Sequence, residues 1–230
     1  MKRLTSILLI SLLSFIAFSQ NNENSTKAKE ILDKVSEKVK SLQTITAKFS
    51  FTMVNQQENI KENYKGTVYI KGEKYHLTLM GTETYCDGTT IWTHLVEDEE
   101  VNITKRDLTD NSFLNNPASI FTMYETGFKY KYIEKVKTDI GAFDKIELYP
   151  TELAEGLTKS DDVDNSDLSK VVIFIDGYHN QIHKIEYHSK NGNVYIVEIS
   201  RFDANKEMKD SEFIFDKTKF PETEIIDLRE

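Results

Sequence analysis

The side chains with the strongest claim to chemistry in this 230-residue chain are few, and their spacing suits none of the usual tasks. His179 and His183 stand four apart, a spacing that would share a face on a helix. They flank a strand hairpin instead, after the turn signal Asp176-Gly177, so the spacing carries no metal-binding sense. Asp161, Asp162, Asp164 and Asp167 crowd an acidic stretch from Glu152 to Ser169. A calcium loop would need a glycine at its sharp turn and a closing glutamate, and neither falls in place, so the stretch reads as a solvated loop. Cys86, the one cysteine, sits mid-strand beside a turn and reads as a small buried hydrophobe rather than a reactive thiol. The chain has no Gly-x-Ser-x-Gly elbow, HExxH, CxxC, dinucleotide glycine motif or phosphate loop. Its 38 acidic residues single out no acid–base pair. The expectation is a protein that binds rather than catalyses, with no metal and no cofactor.

What positions such a protein begins with its N-terminus. Lys2 and Arg3 precede an apolar run from Ile7 to Phe18, broken only by Ser11 and Ser14, and Ala17-Phe18-Ser19 offers small residues for cleavage. Residues 1–19 therefore read as a cleaved signal peptide. The run falls short of the ~20 residues that a spanning helix needs. A lipid-anchored protein would carry a cysteine just after the cleavage site, and Cys86 is far from it, so the mature chain is expected to be exported, soluble and unlipidated. Removing Lys2 and Arg3 from 29 cations leaves 27 against 38 acids, a net charge of −11. That balance disfavours nucleic acid and anionic lipid surfaces as partners. A single cysteine in an oxidising compartment gives no internal disulfide, so the core alone must hold the fold.

Residues 20–230 suit one domain. Ala28, Ile31, Leu32, Val35, Val39 and Leu42 recur at helical steps and predict one amphipathic helix. The period then changes to two. Ile45, Ala47, Phe49, Phe51 and Met53 share one strand face. Val68 and Ile70, then Tyr75, Leu77 and Leu79, continue as a meander, and Asp87-Gly88 turns into a strand bearing Ile91 and Trp92. Asn116 and Pro117 open a short second helix carrying Ile120, Phe121, Met123 and Tyr124 and closed by Gly127. Strands resume at Phe128–Tyr132, Phe143–Leu148, Lys170–Ile175, Ile182–Tyr187 and Val194–Ile199, and Phe213-Ile214-Phe215 with the residues after Phe220 add one or two more. The fold class is α+β: a curved antiparallel sheet forming an incomplete barrel, with helices as a lid on its concave face. Long apolar side chains on that face, roofed by apolar helices, would suit an acyl chain. Burial stabilises such a chain by about 0.8 kcal/mol per methylene, on the order of 10 kcal/mol for a long one.

Five stretches, in this order, carry a resemblance. They are Ile31-Leu32-Asp33-Lys34-Val35 with Leu42-x-Thr44-x-x-Ala47-x-Phe49, then Gly66-Thr-Val-Tyr-Ile-Lys-Gly-Glu-Lys-Tyr75, Asp87-Gly88-x-x-x-Trp92, Leu148-Tyr149-Pro150, and Phe213-Ile214-Phe215 through Ile226-Asp227. From Ala28 to the C-terminus the chain resembles the LolA family, periplasmic carriers of outer-membrane lipoproteins. The resemblance implies an unclosed barrel of about eleven strands whose space under the helices takes lipoprotein acyl chains. It implies a monomer in the periplasm, carrying acylated lipoproteins from an ATP-driven releasing complex of the inner membrane to an acceptor at the outer membrane. The cavity candidates are Phe49, Phe51, Met53, Val68, Ile70, Tyr75, Leu77, Leu79, Trp92, Ile120, Phe121 and Tyr124. Family members often carry Lys-Arg-Pro after the second strand, and the arginine holds the lid. Here those positions read Lys71-Gly72-Glu73, which leaves Lys71 and Lys74 as the lid-contact candidates. The alternative is a periplasmic lipid-binding sensor on a related fold, which would usually carry a second domain. An enzyme on a lipocalin-like barrel lacks its chemistry, and a structural β protein has no use for the lid helix.

Overall fold

A computed structural model describes residues 23–55, 57–108, 115–151, 159–160, 163–164 and 168–229. Residues 1–19, expected to be a signal peptide, and most of the acidic stretch lie outside the described residues. Helix α1 occupies residues 23–40. It turns Ala28, Leu32 and Val35 inward and leaves its lysines and glutamates in solvent, as its apolar period requires.

Six strands follow: β1 (Ile45–Asn55), β2 (Ile60–Lys71), β3 (Lys74–Leu79), β4 (Thr82–Cys86), β5 (Thr90–Leu95) and β6 (Glu100–Lys105). Each pairs antiparallel with the next. The chain then crosses the concave side through two 3-10 turns, Pro117–Phe121 and Met123–Glu125. It meanders back through β7 (Phe128–Thr138), β8 (Gly141–Pro150), β11 (Leu168–Asp176), β12 (Gln181–Ser189) and β13 (Asn193–Ala204). Strands β9 (Lys159–Ser160) and β10 (Val163–Asp164) form a separate small ribbon between β8 and β11. The last strand, β14 (Glu224–Asp227), lies parallel to β6. The main sheet has twelve strands in the order β14-β6-β5-β4-β3-β2-β1-β13-β12-β11-β8-β7. Two meanders thus meet at β1, which pairs with both β2 and β13, and the outer edges β7 and β14 do not join. This is the expected open, curved sheet, one strand larger than the resemblance implies.

Two elements differ from expectation. The short second helix is a pair of 3-10 turns, with bonds from Ser119 N to Asn116 O, Thr122 N to Ser119 O and Glu125 N to Thr122 O. Thr122, at φ −134°, leaves the helical region and splits the segment before an α-helical ring can close. The Phe213-Ile214-Phe215 alternation does not make a strand. It belongs to a strap from Asn205 to Thr223 that contains the 3-10 turns Asp210–Phe213 and Lys217–Lys219 and runs over the outside of the sheet.

The sheet consequently buries residues on both faces. The inner face and α1 share one continuous core. A second, smaller cluster of Val101, Ile103 and Phe215, with Tyr85, Trp92 and Phe220 against it, sits on the outer face beneath the strap. There Tyr69, His76 and Tyr85 stack across β2, β3 and β4 at 5.8 Å and 4.1 Å. His94 is wholly buried between Phe215 and Phe220. Burial lowers the pKa of His76 below the ordinary histidine value, with Glu83 and Glu212 opposing that shift.

Candidate apolar binding site between sheet and lid

Nine of the proposed cavity residues converge. Phe49, Val68, Ile70, Tyr75, Leu77, Leu79, Ile120, Phe121 and Tyr124 all lie buried in the inner core, in one cluster with the α1 stripe of Ala28, Leu32 and Val35. The strand members are there because alternation sends every second residue of β1, β2 and β3 to the concave side. Phe51 is half-buried at the margin of this core, stacked on Tyr195 at 6.3 Å. Met53, opposite Tyr195, is half-buried further along the strand.

Trp92 stands elsewhere. Its neighbour Ile91 belongs to the inner core, so Trp92 faces outward and packs in the second cluster, paired across strands with Tyr85 and Ile103. Since it is the only tryptophan, its fluorescence reports on the strap. Asp210→Ala, which loosens the strap, is expected to shift Trp92 emission to longer wavelength, whereas loading an acyl ligand leaves that emission in place. A large shift on loading would put the ligand on the outer face.

Lys71 and Lys74 also prove to be outward residues, by the same alternation against Ile70 and Tyr75. They reach the strap and not the lid. Their ammonium groups lie 2.8 Å and 2.7 Å from the Asp210 carboxylate, and Lys71 also donates to the Met208 carbonyl at 2.8 Å. Hydrogen bonds from these two lysines hold the Asp210 carboxyl well below its ordinary range, at about 2.

Other residues fasten the lid. Glu125, in the second 3-10 turn, accepts from Ser36 Oγ and pairs with Lys40 at 2.6 Å, both on α1. Burial raises the Glu125 pKa, but the bonds from Lys40 and Ser36 outweigh it and keep the group below the usual carboxylate range. Lys38 Nζ donates to the His179 carbonyl at 2.5 Å, tying α1 to the β11–β12 turn. Lys27 Nζ lies 3.5 Å above the Tyr132 ring of β7. Tyr130 Oη donates to the Tyr124 carbonyl at 2.8 Å, and Tyr187 Oη to Met123 Sδ at 3.3 Å. Between the end of α1, the first 3-10 turn and the β2–β3 turn lies a cleft of about 320 Å³ lined by Val39, Leu42, Ile70, Gly72, Ser119 and Phe121 among others. Gly72, where the family's arginine would stand, thus opens onto the lid without touching it by a side chain.

The far meander supplies inner-face residues absent from the candidate set. Ile146 and Leu148 of β8, Ile173 and Ile175 of β11, Ile185 of β12 and Val197 of β13 complete the same core. The two-residue alternation of those strands is the sequence signal that marks them. Among the described residues no three His, Cys, Asp or Glu side chains are placed to hold a metal, and no helix is long and apolar enough to cross a membrane. Cys86 is buried, and its thiol pKa is pushed up by that burial.

An apolar concave face lies under a helical cover, and comparison with known proteins agrees in fold. No protein of curated function matches the sequence. An uncharacterised conserved protein of Thermus thermophilus has a similar structure, with TM-score 0.54 and 13% identity over 87% of this chain and 99% of that one. An outer membrane lipoprotein-sorting protein domain from Vibrio parahaemolyticus aligns at TM-score 0.45 and 12% identity, over 83% of this chain and 97% of that one. A LolA superfamily protein from Nitrosomonas europaea aligns at 0.40 and 13%, over 82% and 97%. The sequence profile described as "Outer membrane lipoprotein carrier protein LolA" matches residues 15–140, more than half of the 230. The chain belongs to the LolA family.

Proposed function

We propose that the protein carries acylated lipoproteins through the periplasm, from a releasing complex in the inner membrane to an acceptor at the outer membrane, with the acyl chains held between sheet and lid. One observation supports this above the rest. The inner face is apolar across both meanders, and polar ties hold the lid at its margin: Lys38 to the His179 carbonyl and Tyr130 to the Tyr124 carbonyl join it to the sheet, and Glu125 to Ser36 and Lys40 joins its two parts. Lifting α1 and the 3-10 turns exchanges one set of apolar contacts for another. The gain per area of acyl chain buried matches the loss of lid contact, about 25 cal/mol/Å² in each direction. The opening therefore turns on a few polar ties, each a net contribution of about 1 kcal/mol. A cover balanced in this way takes up an acyl chain and also lets it go.

The experiment is recovery of the protein from its own cells without detergent, followed by mass spectrometry of what accompanies it. Acylated lipoprotein is the expected companion. Free phospholipid, or nothing, overturns the carrier reading.

A further inference from the structure

Among the described residues the twelve-stranded sheet leaves two edges open, β7 and β14, and they are defended differently. The long edge β7 carries Lys129, Lys131, Lys135 and Lys137, all exposed, the usual guard against a further strand. The short edge β14 has no lysine. It exposes Ile225 and, one residue past its end, Leu228, 45% and 56% accessible, one on each face of the strand. Glu224 N donates to Glu99 O and Leu228 N to Ile103 O, each at 2.8 Å. In a parallel ladder the alternate residues turn both backbone groups the other way. The amides and carbonyls of Ile225 and Asp227 therefore point out of the sheet.

Charge surrounds this edge. Glu97, Asp98 and Glu99 lie in the turn into β6, Glu222 precedes β14, and the first residues of the two strands, Glu100 and Glu224, stand in register. The cations close by are committed: Lys217 to the Thr223 carbonyl, Lys219 to Asp216 at 3.9 Å and Arg229 to Asp227 at 2.5 Å. Like charges gathered beside unpaired backbone groups repel one another until an opposite charge arrives.

We propose that the outer edge of β14 docks an extended, lysine- or arginine-bearing strand of a partner protein. That strand pairs with the backbone of Ile225 and Asp227, packs its aliphatic side chains on Ile225 and Leu228, and sets its cations among the six carboxylates. The site is on the opposite edge from β7 and leaves the lid free, so a partner held there does not compete with an acyl ligand for the concave face.

The test uses the full mature chain and an octapeptide of alternating lysine and valine, with a glutamate–valine octapeptide as control. The lysine peptide is expected to protect the Ile225 and Asp227 amides from hydrogen exchange, to weaken with salt, and to find no counterpart in the glutamate peptide. Ile225→Pro removes an outward amide and keeps every charge, and it costs no bond to β6. It is expected to lower affinity about tenfold, the loss of one backbone hydrogen bond. A triple change of Glu97→Gln, Asp98→Asn and Glu222→Gln flattens the salt dependence. No binding, equal binding to the proline variant, protection elsewhere on the molecule, or self-association of the free chain through its lysine-bearing β7 edge each overturns the proposal.

Discussion

Phe51→Glu yields a folded protein that no longer takes up an acyl chain. Phe51 lies where the inner core thins out along β1, half-buried, with Tyr195 stacked beside it and Tyr64 opposite on β2. A carboxylate there can reach solvent in the closed state, so the fold tolerates it. Once acyl methylenes cover that position the same carboxylate must be desolvated or displaced, at a cost of about 3 kcal/mol. That corresponds to roughly a hundredfold loss of affinity. The measurement is displacement of a fluorescent fatty acid alongside a thermal melt, and unchanged uptake in a folded variant would remove Phe51 from the ligand's path. Tyr75, equally apolar in its surroundings, does not serve the same purpose. It is 2% exposed at the centre of the core, and a charge there unfolds the protein before binding can be read.

The difference between those two residues is the difference between what sequence does and does not reveal. Alternation placed both on the concave face, and that inference needed nothing beyond a two-residue period in β1 and β3. Depth is another matter. How far a position lies from the margin depends on what flanks and covers it, and Phe51 is only half-buried between Tyr64 of β2 and Val197 of β13. The family resemblance supplied the sheet's openness and its lid, which periodicity alone could not.

The outer face differs from expectation for a reason visible in the residues. The sequence points Trp92 at the cavity, whereas Tyr69, His76, Tyr85 and Trp92 share the outer face. Four rings on successive strands make an apolar outer surface, and such a surface requires a cover. The cover was present in the sequence as Phe213, Phe215 and Phe220, but an alternating Phe-Ile-Phe reads as strand. Its actual path, two 3-10 turns stitched by Asp210 to Lys71 and Lys74, depends on pairings of 139 and 136 residues' separation that no local pattern carries. Lys71 and Lys74 were expected at the lid by analogy of position, and alternation against Ile70 and Tyr75 already excluded it.

The second large effect lies in the wall itself, at Gly66. A glycine inside a strand weakens it unless something occupies the missing side chain's place. Here Phe49, directly across from Gly66 on β1, does so: a Cβ added to Gly66 would lie within 2.9 Å of three of its ring carbons. The ring is 4% exposed and has core on its other side, so it cannot simply swing away. Gly66→Ala is expected to destabilise by about 1–3 kcal/mol, the range for overpacking. Phe49→Leu alone is also costly, because it leaves a void over the glycine. Together the two changes relieve each other, since the added methyl fills part of the space the ring vacates. The expected double-mutant coupling is about 1 kcal/mol or more in the favourable direction, read from urea denaturation of the four proteins. Strict additivity would mean that the ring and the glycine are independent, and the flat apolar wall would then owe nothing to their pairing.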